Sequence, residues 1–225
     1  MIDWLPLWLS LKLAFVTMVI LLIVGIPIAW WLAYSRRRWT VMVEAIVSLP
    51  MILPPSVLGF YLLVAFSPAA TLGHLLDRGL DLRLVFTFSG LVVASLIYSL
   101  PFMVNPLLAG FKNLPPHLLE ASRTLGKSDW TTLRRILLPN IRASLITGAI
   151  LSFAHTIGEF GVVMMIGGSI PGQTRVASVA IYDEQQSGNY ALANRYAIVL
   201  LLLSFLILLV VYSLNRHFGK SKSIL

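Results

Sequence analysis

Three small groups of residues in this chain have types and spacings that could do chemistry. The first is Gly126-Lys127-Ser128, which reads like the end of a phosphate-binding loop, G-x-x-x-x-G-K-[ST]. Such a loop cradles phosphates on backbone N–H groups between a strand and a helix. Here alanine occupies position 121, where the first glycine belongs, and a helical pattern precedes the triplet, so ATP binding by this chain is not expected. The second group is His155 and Glu159, one helical turn apart, which makes a His155–Glu159 pair geometrically available. That pair reads either as a gate or pathway element, or as an interfacial carboxylate facing water or a neighbouring helix. The third group is Ser152 and Thr156 on the same helix. They can donate hydrogen bonds to a passing oxyanion, or bond back to their own helix's carbonyls. Glu159 itself is unsuited to holding an anion, because like charges repel.

Other chemistry is excluded early. The chain has no cysteine, hence no disulfide, thiolate metal site or cysteine nucleophile. His74, His117, His155 and His217 are scattered, without metal-ligand spacing. No catalytic constellation is visible, which points away from an enzyme.

The elements that carry these residues are written in the composition. Of 225 residues, 58% are hydrophobic and only 12% charged, and the mean hydropathy is +0.86. Globular proteins are about 45–50% apolar. The pattern predicts an all-α polytopic membrane protein of a single domain with about five spans, over 13–33, 41–66, 84–110, 141–166 and 196–214. A sixth short span between 161 and 181 is disfavoured, because it would move the basic tail outside. The first run is too long for a cleaved signal peptide, and its basic cluster follows it instead of preceding it.

The net charge of +8 would suggest nucleic acid in a soluble protein. Here the basic residues lie between apolar runs, so membrane topology explains them better, and no nucleic-acid partner is expected. Arg36-Arg37-Arg38, the polar stretch at 112–142 and the tail with Arg216, Lys220 and Lys222 fall on one side; Lys12, Arg78, Arg83, Arg175 and Arg195 fall on the other. The richer side is predicted to be cytoplasmic, with the N-terminus outside and the C-terminus inside.

Within the second run, Pro50, Pro54 and Pro55 are followed by Ser56 and Gly59. Prolines so close together break the regular ladder, and a break at membrane depth survives only where protein or a water-filled cavity covers it. Pro54, Pro55 and Ser56 are therefore candidates for lining a solute path; a packing kink is the alternative. In the fourth run, counted from Ile141, Glu159 lies about 27 Å along a continuous helix, near its outer end.

The polar island at 113–139 stands out in this oily chain. Pro115-Pro116 suits a helix start, Gly126 a helix stop, and Ser128 the cap of a second short helix with an apolar face of Trp130, Leu133, Ile136 and Leu137. Two short amphipathic helices joined at a glycine suit docking onto a soluble partner. Glu120-Ala121-Ser122, then Gly126, then Ile136, Leu138 and Pro139 match in type and spacing the EAA loop of ABC importer permeases, with Ser122 in place of the second alanine. Over most of its length the chain resembles the permease subunits of molybdate ABC transporters. The residues carrying that resemblance are Leu49-Pro50, Leu53 to Gly59, Ala121 to Gly126, Leu138-Pro139, Gly158 to Gly161 and Ile170 to Thr174.

The resemblance implies a bacterial inner-membrane protein that works in a complex. The expected partners are a second copy of the chain, two cytoplasmic ATPase subunits seated on the coupling loop at 112–139, and a periplasmic molybdate-binding protein. ATP and magnesium would be bound by the ATPase, with no cofactor in this chain. Glu120 is expected to contact the ATPase and Gly126 to form the turn. Many molybdate permeases have arginine where this chain has His155, which puts a charge-based role there in doubt. Sulfate or another oxyanion is the alternative cargo, and a non-transporting docking subunit the alternative class; the broken second run favours a solute path.

Overall fold

The computed structural model describes residues 2–220, and every regular element among them is helical. Lys222 in the basic tail lies outside the described residues, as do the side chains of Arg216 and Lys220.

Helix α1 (Leu5–Tyr34) starts well before the expected span. The Leu5 N–H donates to Asp3 Oδ1 at 3.0 Å, and Pro6 occupies the first turn, where its missing N–H costs nothing. The second apolar run is two helices, α2 (Thr40–Ser48) and α3 (Pro55–Phe66), with a short 3-10 turn at Leu49–Met51 between them. They are bent by 108° across the break. Pro54 takes an extended ψ of 134° and Pro55 opens α3, so the chain turns where its prolines forbid continuation.

The expected polar loop at 67–83 contains an amphipathic helix, α4 (Thr71–Leu80), closed by the ion pair of Arg83 with Asp77 at 2.9 Å. Helix α5 (Phe88–Lys112) is the central span, capped by Thr87, whose hydroxyl accepts from the Gly90 N–H. The polar island follows as α6 (Pro116–Thr124), α7 (Asp129–Thr132), a π-helical turn (Leu133–Leu137) and α8 (Leu138–Asn140).

The fourth run does not form one helix. Helix α9 (Arg142–Gly158) ends at a break, and α10 (Gly161–Gly167) starts anew. The expected loop at 167–195 holds α11 (Ala177–Gln186), and α12 (Tyr190–Lys220) begins earlier than the fifth run. Neither α10 nor α11 is long enough to span a membrane. Among the described residues, three helices are long and apolar enough to cross alone, and the two bent pairs raise the number to five if each counts as one span.

Helices α1, α5 and α9 pack against one another, α3 lies on α10, and α12 covers α9 and α11. Three buried clusters result among the described residues, two of them large. One gathers Leu21, Ala29, Met103, Leu107 and Phe111 with Leu133, Leu137 and Ile141, so the polar island is anchored in the membrane core. The other gathers Leu13, Leu91 and Ala94 with Val162, Val163 and Ile166. A serine and a tyrosine hydroxyl tie the start of α1 to the last elements. Ser10 Oγ accepts from the Ala177 N–H at 2.8 Å, and the Tyr196 hydroxyl donates to the Asp3 carbonyl at 2.9 Å.

The α3–α10 contact depends on missing side chains. A Cβ at Gly59 would lie 2.8 Å from Met165 Cβ and 3.0 Å from Val162 Cα, and one at Gly161 would lie 2.7 Å from Pro55 Cβ. Gly59→Val and Gly161→Val are expected to destabilise the fold by about 1–3 kcal/mol each, as overpacking does. Gly79→Ala on exposed α4, where nothing lies within 4 Å, is expected to be neutral. Thermal unfolding in detergent checks all three.

Candidate functional site

The first candidate site is the elbow at 116–140. Helix α6 ends in a Schellman cap: the Lys127 N–H donates to the Ser122 carbonyl at 3.1 Å, and the Gly126 N–H to the Arg123 carbonyl at 2.9 Å. That geometry needs a left-handed residue, and Gly126 has φ +66° with open space around it. Ser128 caps α7, its hydroxyl accepting from the Thr131 N–H at 3.3 Å.

A brace not evident from sequence joins the two arms. Thr132 gives its hydroxyl hydrogen to the Ser128 carbonyl at 3.0 Å, so the buried Ser122 hydroxyl donates to Thr132 Oγ1 at 2.6 Å. The serine that replaces alanine in the loop pattern thus holds α6 against α7.

Glu120 and Ala121 are exposed on α6. Leu133 and Leu137 are buried, Ile136 and Leu138 are half-buried against the core, and Pro139 opens α8. Trp130 departs from expectation. It is 64% exposed and not on the packed face, because only one α-turn precedes the π turn and the 3.6-residue count from Trp130 fails across it. With Leu125, 72% exposed, it gives the elbow an apolar outer surface beside Glu120.

The second candidate site is the polar centre where α5, α9 and α10 meet. His155 does not pair with Glu159. Its ring stacks on Phe102, centroids 3.9 Å apart, with Tyr98 at 4.7 Å, and its Nδ1 bonds Ser99 Oγ at 3.0 Å. Glu159 lies past the end of α9 with extended dihedrals, so the one-turn spacing that would join it to His155 does not exist. It is not an exposed interfacial carboxylate either, being 7% exposed. Its Oε1 accepts from the Val162 N–H at 2.8 Å, capping α10, and its carbonyl accepts from Ser178 Oγ at 2.6 Å.

Ser152 and Thr156 are buried and bond back to their own helix, Ser152 to the Ala149 carbonyl at 3.0 Å and Thr156 to the Ser152 carbonyl at 2.8 Å. Proton counting then sets a direction. Thr156 spends its one hydrogen on Ser152, so Ser99 donates to Thr156 Oγ1 at 3.0 Å. Ser99 must then accept from His155, whose Nδ1 carries the hydrogen and whose Nε2 is left as the free ring nitrogen.

The two helix breaks meet. Pro55, half-buried at the start of α3, touches Gly161 at the start of α10, and Pro54 and Ser56 beside it are exposed. Tyr98, Ser99, Phe102 and Ser178 were missed from sequence because each lies on another element from the residues it serves. Only the small polar type of Ser99, mid-span, was a signal.

At the other end of α10, Arg175 bonds both Asp183 at 2.9 Å and Glu184 at 3.0 Å. Partial burial works against the Arg175 charge, but the two carboxylates outweigh it and hold the guanidinium's pKa above its ordinary value.

Residues 25–224 match the family described as binding-protein-dependent transport system inner membrane component. The molybdenum transport system permease protein ModB of Azotobacter vinelandii is 50% identical over 209 residues, 92% of either chain. The sulfate transport system permease protein CysT of Escherichia coli is 33% identical over 211 residues, 94% of this chain and 76% of its own. Among solved structures, an inward-facing MetNI methionine ABC transporter superposes with a TM-score of 0.72 at 20% identity, covering 94% of both chains, which is a likeness of fold.

Glu159→Gln keeps an oxygen for the Val162 N–H and is expected to melt near the parent. Glu159→Ala leaves that buried N–H without a partner and is expected to lose about 1–3 kcal/mol. Equal melting of the two variants would refute the capping role.

Proposed function

The chain belongs to the binding-protein-dependent transport system inner membrane component family, and we propose that it is the permease subunit through which an ATP-driven importer takes up molybdate. It is a multi-pass membrane protein and a transport subunit. The molybdate reading is carried by the match to a molybdenum permease along nearly all of both chains, at higher identity than the sulfate permease. The membrane is the bacterial inner membrane, with the elbow in the cytoplasm.

The elbow supports the division of labour. The chain has no phosphate-binding loop of its own, and its exposed Glu120, Leu125 and Trp130 offer one carboxylate and two apolar side chains to a soluble partner. That partner is an ATPase carrying ATP and magnesium, one for each of two copies of this permease. Glu120 contacts it; Gly126, Ser122 and Thr132 keep the elbow's shape; Leu133, Leu137 and Ile141 pass its motion to α9 and α5. A periplasmic binding protein delivers the oxyanion to the opposite face.

The solute path runs beside the paired breaks at Pro54–Ser56 and Glu159–Gly161, the places where regular backbone stops inside the bundle. Ser152 and Thr156 shape that path from within the protein, since their hydroxyls are already spent on their own helix. His155, held by Ser99 and stacked on Phe102 beside Tyr98, presents Nε2 as its free polar atom.

Co-expressed with its ATPase and binding protein in vesicles, the chain is expected to support ATP-dependent molybdate uptake that survives excess sulfate and falls with tungstate. Uptake of no oxyanion by an intact, ATP-hydrolysing complex would sink the cargo assignment. Gly126→Val is expected to abolish uptake while leaving membrane insertion intact. The strain is purely backbone, about 1–2 kcal/mol for an L-residue in the left-handed region. Gly126→Asn, which tolerates that region, is expected to retain part of the uptake. Full uptake by the valine variant would remove the elbow from the coupling route.

A further inference from the structure

A cavity of about 390 Å³ opens where the end of α1, the end of α5 and α6 come together. Its rim carries three cations, Arg36, Lys112 and Arg123, against one carboxyl group, Glu120, while Phe111 and Leu119 contribute to an apolar floor. Lys112 is shared with Glu44 on α2 at 3.3 Å. Arg36 and Arg123 have no acidic partner among the described residues. They belong to different elements, one just past α1 and the other on α6. The Tyr34 hydroxyl beside them is already spent on the Phe111 carbonyl at 3.3 Å.

The depth of this cavity is legible from its neighbours. Helix α1 ends at Tyr34, and the rings of Trp31 and Trp39 lie 5.0 Å apart across that end. The Arg37 guanidinium sits 5.7 Å from the Trp39 ring centroid. Tryptophan beside a run of arginines marks the headgroup level of a bilayer, and basic pockets between membrane helices at that level take anionic headgroups. A cationic rim over an apolar floor matches a phosphate attached to acyl chains better than it matches a free ion, which has no use for the floor.

We propose that this cavity binds the phosphate headgroup of an anionic phospholipid, bridged by Arg36 on one side and Arg123 on the other. The bound headgroup fastens α6 to the end of α1 and offsets the repulsion between the two guanidinium groups. Headgroup binding does not depend on the cargo. Its effect on the elbow rests on the coupling role given above to Glu120, on the same helix as Arg123.

The test uses the full-length chain, equilibrated with vesicles of phosphatidylglycerol and phosphatidylcholine in equal parts. Retained lipid is counted by native mass spectrometry after mild detergent extraction. The chain is expected to retain phosphatidylglycerol in preference to phosphatidylcholine. Arg36→Gln with Arg123→Gln is expected to lower that retention roughly tenfold, since each basic group near an anionic surface contributes measurably. Arg37→Gln with Arg38→Gln, outside the cavity, is expected to keep most of it, and Arg36→Lys with Arg123→Lys to keep part. Circular dichroism establishes that each variant is folded. Equal retention by the cavity and outer double variants would overturn the proposal, as would the absence of any lipid preference. Displacement of the lipid by inorganic phosphate at matched concentration would overturn the lipid assignment in favour of a free anion. None of these readouts involves uptake, so failure of the transport reading would leave them unchanged.

Discussion

Inside a bilayer no water is at hand to satisfy a broken backbone, and the structure is arranged around that constraint. The chain stops being regular at two places within its apolar runs, at 52–54 and at 159–160. The first break is made tolerable by its prolines, which have no N–H to strand. The second has no proline and is patched by side chains: Glu159 supplies an acceptor for α10, and Ser178 supplies a donor for the Glu159 carbonyl. The two breaks then cover one another, Pro55 against Gly161, with Gly59 letting α3 lie directly on α10.

The elbow obeys the opposite rule, since its outer surface is open to water and must still be held by oil. Its grip comes from Leu133 and Leu137, both almost fully buried in the layer around Met103 and Phe111. Its shape comes from hydrogen bonds alone: the Schellman cap at Gly126, the Ser128 cap, and the Ser122–Thr132 brace. Holding and shaping thus fall to different residues. Exposed residues at the tip, Glu120, Leu125 and Trp130, are left with neither duty and are available to a partner.

Much of this was legible in the sequence, and the parts that were not share a cause. The proline break, the Gly126 turn and the Ser128 cap are local, set by backbone chemistry at a few adjacent positions, and they were readable. Apolar runs were readable from hydropathy, and three of them are helices long enough to cross, though Asp3 and Pro6 start α1 earlier than hydropathy suggests and the second and fourth runs break. The His155–Glu159 pair failed because a period count assumes an unbroken helix, and Gly158 and Gly161 flank a break that Glu159 itself, Ser178 and the packing of α3 sustain. Helices α4 and α11 were read as loops because each is only ten residues long and carries charged residues between long apolar runs. The placing of Trp130 turned on a π turn whose cause lies in packing. The partners of His155, namely Ser99, Tyr98 and Phe102, are more than fifty positions away and could not be paired by counting.

Helix α1 has a further mechanical meaning. Its 30 residues rise about 45 Å, against a hydrocarbon thickness of about 30 Å. Exposed Trp4 and Trp8 mark one end, and Trp39 with Trp31 the other. A rod longer than its slab, with an aromatic collar at both ends, resolves the mismatch by leaning. The angle of lean is then a property of the membrane as much as of the protein: a thicker bilayer stands the rod up and a thinner one tips it over. Helices α5 and α9 are packed along that rod, so a change in its lean is passed to both.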